Sequence, residues 1–302
     1  MTIKKNKSHK KQLKKTNFSK KRKTNNKKSY KSHKKNNKRY TRKIKGGVIY
    51  EKEKMISDII NMGQKKTNQT FPVEVAEIIY SMATTFQPKV KKELKEAVDL
   101  WFSNKEEAIT KYGEIATWDT SLIKDMSNLF EQYSYIYEKQ NDFNDDISNW
   151  NVSNVTNMRR MFYFAKSFNQ PLNKWDVSKV RDMSEMFYNA ESFNQPLNNW
   201  NVSNVTDMNG MFYFAKSFNQ PLNNWNVSNV TDMSFMFFNA RSFNQPLNNW
   251  NVSNVTDMSD MFKRAYSFIQ PLNNWNVSNV INMEEMFNSS GMEGQEPEWY
   301  NN

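Results

Sequence analysis

The chain has 302 residues and a formal net charge of +12, from 43 Lys and Arg against 31 Asp and Glu. It has no cysteine and only two histidines, His9 and His33. These counts exclude disulfides, thiol nucleophiles and cysteine-based metal sites, and they leave residues 46–302 without an imidazole for a catalytic triad or a metal. We therefore expect no catalytic residue, no cofactor, no metal site and no enzymatic activity.

Basic residues are concentrated at the N-terminus. Residues 1–45 contain 21 Lys and Arg and no Asp or Glu, whereas residues 46–302 contain 22 basic and 31 acidic residues. A segment rich in Lys, Asn and Ser buries too little apolar surface to offset the entropy of ordering it. We predict a disordered tail over residues 1–47. Its charge suits a polyanion or nucleic acid, nuclear import or a flexible tether, and no apolar run in the chain suggests a membrane span.

Residues 48–114 are predicted to form three amphipathic helices that cap the repeats. The first is entered through Pro72, and its apolar face has helical spacing: Val75, Ile78, Ile79, Met82 and Phe86. The second follows Pro88 with the same geometry: Val90, Leu94, Ala97, Val98 and Trp101. The third begins at a Ser103 N-cap with Glu106 three residues on, and it ends at Gly113.

A period of 25 residues dominates the remainder of the chain. The segment SFNQPLNNWNVSNVTDM occurs three times unchanged. A degenerate earlier copy around Trp118 makes about seven units over residues 115–291, and an acidic C-terminal tail follows over residues 292–302. The tryptophans expected to stack as a structural ladder are Trp150, Trp175, Trp200, Trp225, Trp250 and Trp275.

Apolar residues within a unit recur at about every third position, which fits neither a long strand nor a long helix. We predict a brief strand over residues 204–208, a helical turn over residues 209–215 and a return through Pro221. Stacked coils of this kind would place each apolar side chain beside its copies and form a solenoid.

The unit W-N-V-S-N-V-T-D-M-S-x-M-F, followed by S-F-N-Q-P-L, resembles the BspA-type leucine-rich repeat family of mycoplasma-type and other microbial surface proteins. The resemblance implies a leucine-rich-repeat-like, right-handed α/β solenoid used for adhesion or protein binding. Surface members of that family are usually exported, and no signal peptide is visible in this chain.

Two further resemblances bear on where and how the chain acts. The basic leader closing on residues 41–47 is similar to the N-termini of giant-virus proteins. Because no signal peptide is visible, we expect host cytoplasm, nucleus or virion rather than secretion. Residues 71–75, with Ile79, Tyr80 and Ser81, resemble the opening of an F-box. An F-box-like ubiquitin-ligase substrate adaptor that docks through the helices at 71–101 is therefore the alternative function.

Positions that differ between units are those that stacking does not dictate. We expect a non-enzymatic scaffold for protein-protein interaction whose unknown protein partner binds at two such columns, although neutral drift would also produce the variation. The first column is Arg160, Glu185, Gly210, Phe235, Asp260 and Glu285, and the second is Lys166, Glu191, Lys216, Arg241 and Tyr266. Side chains of the Asp and Asn column that contains Asp207 are expected to hydrogen-bond between units and hold them in register.

Overall fold

The computed structural model describes residues 85–131 and 143–300, together with single positions between 54 and 75. Tertiary contacts divide the chain into two units, Met1–Ala83 and Thr84–Asn302. In the first unit Val73 and Val75 are helical. The tail predicted over residues 1–47 and most of the first predicted helix lie outside the described residues. In the described part, no helix has the length and apolar character needed to cross a membrane.

Two helices precede the repeats in the second unit: α1 spans Lys91–Ser103 and α2 spans Lys105–Tyr112. The predicted apolar face of α1 is confirmed at Leu94, Ala97, Val98 and Trp101, which are buried, but not at Val90, which is the N-cap residue and is 54 % exposed. This face packs on the first coil of the repeats, where the Trp101 ring meets the Trp118 ring edge-on at 5.9 Å. Since Leu94, Ala97 and Val98 are fully buried, α1 is part of the same core as the repeats.

The N-terminus of α2 differs from the predicted one by a single residue. The Asn104 side chain, and not that of Ser103, accepts a hydrogen bond from the Glu107 N–H at 3.2 Å. Ser103 ends α1, and its hydroxyl donates to the Asp99 carbonyl at 2.8 Å. The predicted Ser103 cap is therefore wrong, whereas the predicted end of α2 at Gly113, with φ of 76°, is confirmed.

After a short 3-10 helix at Ile115–Thr117, the chain forms a repeat stack in which each coil hydrogen-bonds to the next. One residue of each coil forms an isolated parallel bridge: Asp125 with Asn157, Asn157 with Asp182, Asp182 with Asp207, Asp207 with Asp232, Asp232 with Asp257, and Asp257 with Asn282. Within residues 85–131 and 143–300 these bridges extend into no strand and form no sheet. The predicted leucine-rich-repeat-like α/β solenoid is therefore wrong.

The described coils form no strands because the backbone is left-handed at two positions of each coil. In one coil, Gly210 and Phe214 have φ of 56° and 54°, which interrupts both helix and strand. The N–H of Tyr213 donates to the Gly210 carbonyl in the same coil at 3.1 Å, and that of Phe214 donates to the Phe238 carbonyl in the next coil at 2.8 Å. The predicted strand over 204–208 and helical turn over 209–215 are thus replaced by a run of reverse turns. Each turn closes over three residues, which accounts for the apolar spacing.

The core of the repeat stack is a set of aromatic ladders. The Trp200 and Trp225 rings are 6.4 Å apart and nearly parallel, and the Trp225 indole N–H donates to the Leu197 carbonyl of the preceding coil at 3.0 Å. The ladder continues past Trp275 to Trp299, whose ring stacks at 6.3 Å. Trp299 lies in the segment predicted as an acidic C-terminal tail, so the ladder extends into that segment.

Polar side chains form two kinds of hydrogen bond, one between adjacent coils and one within a coil. The Thr206 hydroxyl donates to the Arg181 carbonyl of the preceding coil at 3.2 Å, which helps to hold adjacent coils in register. The Asp207 carboxylate instead accepts the Asn209 N–H of its own coil at 2.9 Å. The register role expected of the Asp and Asn column is therefore wrong for Asp207, whose carboxylate stabilises a local turn. It is confirmed for one pair, because the Asn282 amide donates to the Asp257 carboxylate of the preceding coil at 3.3 Å.

Candidate partner-binding face

The first variable column lies at one of the two left-handed positions of each coil. The φ angles of its members lie between 52° and 58°: Arg160, Glu185, Gly210, Phe235, Asp260 and Glu285. Such angles are uncommon for residues other than glycine and are outliers for bulky side chains such as that of Phe235. The hydrogen bonds of the coil set this backbone, and they leave the side chain free to vary.

Ion pairs join members of both columns across adjacent coils. The Arg160 guanidinium makes two hydrogen bonds of 2.9 Å to the Glu185 carboxylate. The Glu191 carboxylate lies between two ammonium groups, 3.5 Å from that of Lys166 and 2.7 Å from that of Lys216. Burial acts to raise the pKa of Glu191, but the hydrogen bonds and charges of the two lysines outweigh it and lower that pKa.

Toward the C-terminal end of the stack the columns have different contacts. Lys263 pairs with Asp260 at 2.8 Å and also with Glu285. The Arg241 guanidinium lies over the Tyr266 ring, 5.6 Å from its centroid, and Tyr266 remains 52 % exposed. These residues lie outside the groove described below.

A ladder of partly buried aromatic rings lies between the two columns, and it was not selected from the sequence. The Tyr188 ring stacks on Tyr163 at 4.7 Å and on Tyr213 at 4.2 Å, and Tyr213 stacks on Phe238 at 4.6 Å. Phe235 of the first column packs against Phe238 at 6.2 Å. These aromatic residues recur every 25 residues in the sequence, but recurrence alone does not distinguish an outer ladder from the core ladders.

Tyr188 and Tyr213 of this outer ladder share a side-chain hydrogen bond. Burial, followed by the hydrogen bond to the Tyr213 hydroxyl, raises the pKa of Tyr188 well above its ordinary value. Tyr188 therefore stays neutral across the physiological range and offers ring surface and a hydroxyl group without phenolate charge.

A groove of about 350 Å³, here called the aromatic groove, opens along this ladder. Phe164 and Phe214 occupy equivalent positions two coils apart, and the shorter Asn189 takes that place in the coil between them. The groove is thus a gap between two phenylalanines. The residues that line it are Phe164, Tyr188, Asn189, Glu191, Tyr213, Phe214 and Lys216.

Aromatic surface, hydroxyls and paired charges are suited to recognition. In the part of the chain that the structure describes, no group of three or more His, Asp or Glu side chains comes together in a way that could hold a metal ion. Of the predicted columns, the structure brings Glu191 and Lys216 into the aromatic groove, and it places Phe235, Asp260 and Tyr266 elsewhere.

Comparison with known proteins gives one match. The family model described as "Mycoplasma protein of unknown function, DUF285" matches residues 97–213 and 196–299, which together span about two thirds of the 302 residues. No curated protein and no solved structure matches the chain. The resemblance to mycoplasma-type repeat proteins is confirmed at this coarse level, and a giant-virus origin stays a prediction. The chain therefore belongs to the DUF285 family of Mycoplasma-type repeat proteins of unknown function.

Proposed function

We propose that this chain is a non-enzymatic scaffold that binds a protein partner on the face formed by the outer aromatic ladder and the aromatic groove. The observation that carries the proposal is the pair Phe164 and Phe214, two bulky aromatic residues held at φ of 59° and 54° beside the groove. Unusual backbone of this kind persists where the surrounding structure or a function demands it.

The same position in neighbouring coils shows that the coil itself does not require phenylalanine. Asn189 and Asn239 take it with φ of 55° and 52°, and asparagine tolerates left-handed backbone better than phenylalanine does. The coil therefore folds with a small polar residue at this site. Partly exposed aromatic rings are also typical anchors of protein interfaces.

The alternative adaptor function rests on residues 71–101, of which residues 76–84 lie outside the described part. The second helix of that segment, α1, buries Leu94, Val98 and Trp101 in the core. The apolar face of α1 is thus occupied and is not open for a ligase scaffold. The polyanion partner of the 1–45 tail likewise stays a prediction.

Site-specific photocrosslinking in living cells tests the scaffold proposal. We would replace Phe214 with p-benzoyl-phenylalanine in the full chain, because this keeps an aromatic side chain at the groove. The matched control carries the same group at Thr231, which is exposed and lies outside the aromatic groove. We expect discrete protein adducts from position 214, identified by mass spectrometry, that are absent from position 231.

A second variant tests whether the adducts depend on the groove. Adding Phe164→Asn to the crosslinking chain should reduce the adduct yield severalfold, since one wall of the groove is removed. Equal adducts from positions 214 and 231, or a yield that Phe164→Asn leaves unchanged, would contradict the proposal.

A further inference from the structure

The dimensions of the aromatic groove define the kind of side chain that it admits. Phe164 and Phe214 are two coils apart, and equivalent rings of adjacent coils are 4.2 to 6.4 Å apart in this structure, which puts the two phenylalanines roughly 8–13 Å apart. After the thickness of the rings is allowed for, a gap of this size takes a single side chain. The following gap of this kind, at Asn239, is partly covered because the Arg241 guanidinium donates to the Asn239 side chain at 3.0 Å.

Charge around the groove differs in sign from that of the rest of residues 46–302. Three carboxylates lie on this face. Glu185 and Glu191 are paired with cations, and Glu131, which takes the place of Tyr163 in the first coil, acts on Arg160 through its charge. The cationic side chains are those of the two columns up to Arg241 together with Arg159, which contacts Glu185 at 3.6 Å: Arg159, Arg160, Lys166, Lys216 and Arg241. Five cations against three carboxylates give the face +2. Residues 46–302 otherwise contain 17 basic residues (22 less 5) and 28 acidic ones (31 less 3), a balance of −11.

Resting on the scaffold function proposed above, we infer that the aromatic groove binds an extended acidic segment of the partner and takes one aliphatic side chain of that segment between Phe164 and Phe214. The cations of the face attract the acidic segment, and Lys166 and Lys216, which share the single Glu191 carboxylate, leave one positive charge in excess beside the groove. Apolar burial between the rings supplies the selectivity.

Two other occupants are disfavoured by charge. The N-terminal segment of this chain has 21 basic residues in its first 45 and would be repelled by a face of +2. A second copy using the same face would oppose +2 to +2. An acidic partner segment is the occupant whose charge complements the groove.

Fluorescence anisotropy with three labelled peptides tests the inference on the full chain. The first probe has five glutamates on each side of a central leucine, the second has alanine in place of leucine, and the third has lysines in place of the glutamates. The basic N-terminal segment attracts the leucine and alanine probes equally, and the Phe164→Asn with Phe214→Asn variant measures that contribution, so the groove is reported by the ratio after this binding is subtracted. We expect the leucine probe to bind about tenfold more tightly than the alanine probe, and the lysine probe to show no binding.

Variants with matched controls locate the selectivity. Phe164→Asn with Phe214→Asn should reduce the leucine-to-alanine ratio to below about twofold. Phe235→Asn, which changes the same residue type at a left-handed position outside the groove, should keep the ratio. Lys166→Glu with Lys216→Glu should weaken the leucine probe severalfold.

The outcomes separate this inference from the scaffold proposal. A wild-type ratio near one, or a ratio that the double asparagine variant leaves unchanged, overturns the acidic-aliphatic assignment even if position 214 crosslinks to a partner. A tenfold ratio without any adduct from position 214 supports the chemistry of the groove and contradicts the cellular scaffold function.

Discussion

Phenylalanine and asparagine alternate at one left-handed position of the outer face, and the two residue types do different work there. Phe164 and Phe214 add ring surface beside the groove, whereas Asn189 and Asn239 are buried and leave gaps. A side chain with a Cβ in left-handed backbone costs about 1–2 kcal/mol, and less for asparagine. The aromatic contacts of Phe214 stabilise the folded chain by roughly 0.5–1.5 kcal/mol.

Because these two terms offset each other, Phe214→Asn should change the free energy of unfolding by less than about 1 kcal/mol. Urea denaturation followed by tryptophan fluorescence measures this change. By contrast, truncating a core ring such as Phe212 to alanine should cost about 3–5 kcal/mol. A loss of 3 kcal/mol or more for Phe214→Asn would show that Phe214 is a core residue and not a recognition residue.

The Glu191 ion pairs predict a dependence of stability on pH. Since the pKa of Glu191 is lower in the folded chain, its contribution is complete above the unfolded value of about 4.3 and is lost as pH falls through the folded pKa. Glu191→Gln should therefore be less stable than the wild type by up to about 1 kcal/mol at pH 7, and the difference should vanish near pH 3.

Denaturation midpoints measured at several pH values check this expectation. Glu293→Gln is the control, because Glu293 is exposed and lies outside the ion pairs of the face. A Glu191→Gln difference that stays constant from pH 7 to pH 3 would mean that packing, and not charge, is responsible.

Gly291 shows a different constraint, which is space rather than conformation. A Cβ at this position would lie 2.6 Å from the Phe268 carbonyl oxygen and 2.8 Å from that of Tyr266. Gly291→Ala should therefore lower the free energy of unfolding by about 1–3 kcal/mol. Thermal unfolding compared with that of Glu293→Ala, at an exposed site nearby, measures the effect. Equal melting temperatures would indicate that the last coil shifts to make room.

At the scale of the elements, the apolar pattern predicted α1 correctly and the coils incorrectly. Helical spacing identified Leu94, Val98 and Trp101 because a regular helix converts spacing directly into a face. Apolar residues at about every third position are compatible with more than one backbone conformation. The pattern predicted a strand followed by a helical turn, whereas φ near +55° at positions such as Phe214 makes successive turns.

The candidate site was predictable only in part for a related reason. Variation between coils identified Glu191 and Lys216, which line the groove. It missed Tyr188 and Tyr213, since tyrosines that repeat resemble core residues in sequence. Phe164 and Phe214 were hidden because their alternation with asparagine has a period of two coils.

The tryptophan ladder allows its hydrogen bonds to be tested one coil at a time. Trp225 is 3 % exposed, and its indole N–H donates to the Leu197 carbonyl. Trp225→Phe removes this hydrogen bond, but the Leu197 carbonyl keeps the one from the Trp200 N–H at 3.0 Å, so the loss should be about 0.5–1.5 kcal/mol. Trp299→Phe removes an equivalent bond to Leu272 at the partly buried end of the ladder and should cost less. Chemical denaturation of both variants decides the point, and equal losses would contradict the role assigned to burial.

For the whole molecule, each coil contacts mainly its neighbours, so stability should follow the number of coils. Deleting residues 226–250 removes one complete period and joins Trp225 to Asn251, in the same way that it is naturally joined to Asn226. We expect this variant to unfold cooperatively with a smaller calorimetric enthalpy, and to keep the aromatic groove.

Deleting residues 226–249 is the matched control, because it removes one residue fewer and displaces every later ladder position. The control should melt at a clearly lower temperature than the 25-residue deletion. If both deletions melt alike in differential scanning calorimetry, the ladders do not fix the register.

Both ends of the repeat stack are covered by residues of the same chain. At the N-terminal end α1 packs on the first coil, where Trp101 meets Trp118. At the C-terminal end Trp299 stacks on Trp275 at 6.3 Å, and Tyr300 meets Phe287 edge-on at 5.0 Å. The repeat can therefore be duplicated between these two ends without opening a coil to another molecule, so that the length of the recognition surface can change in evolution without creating a filament.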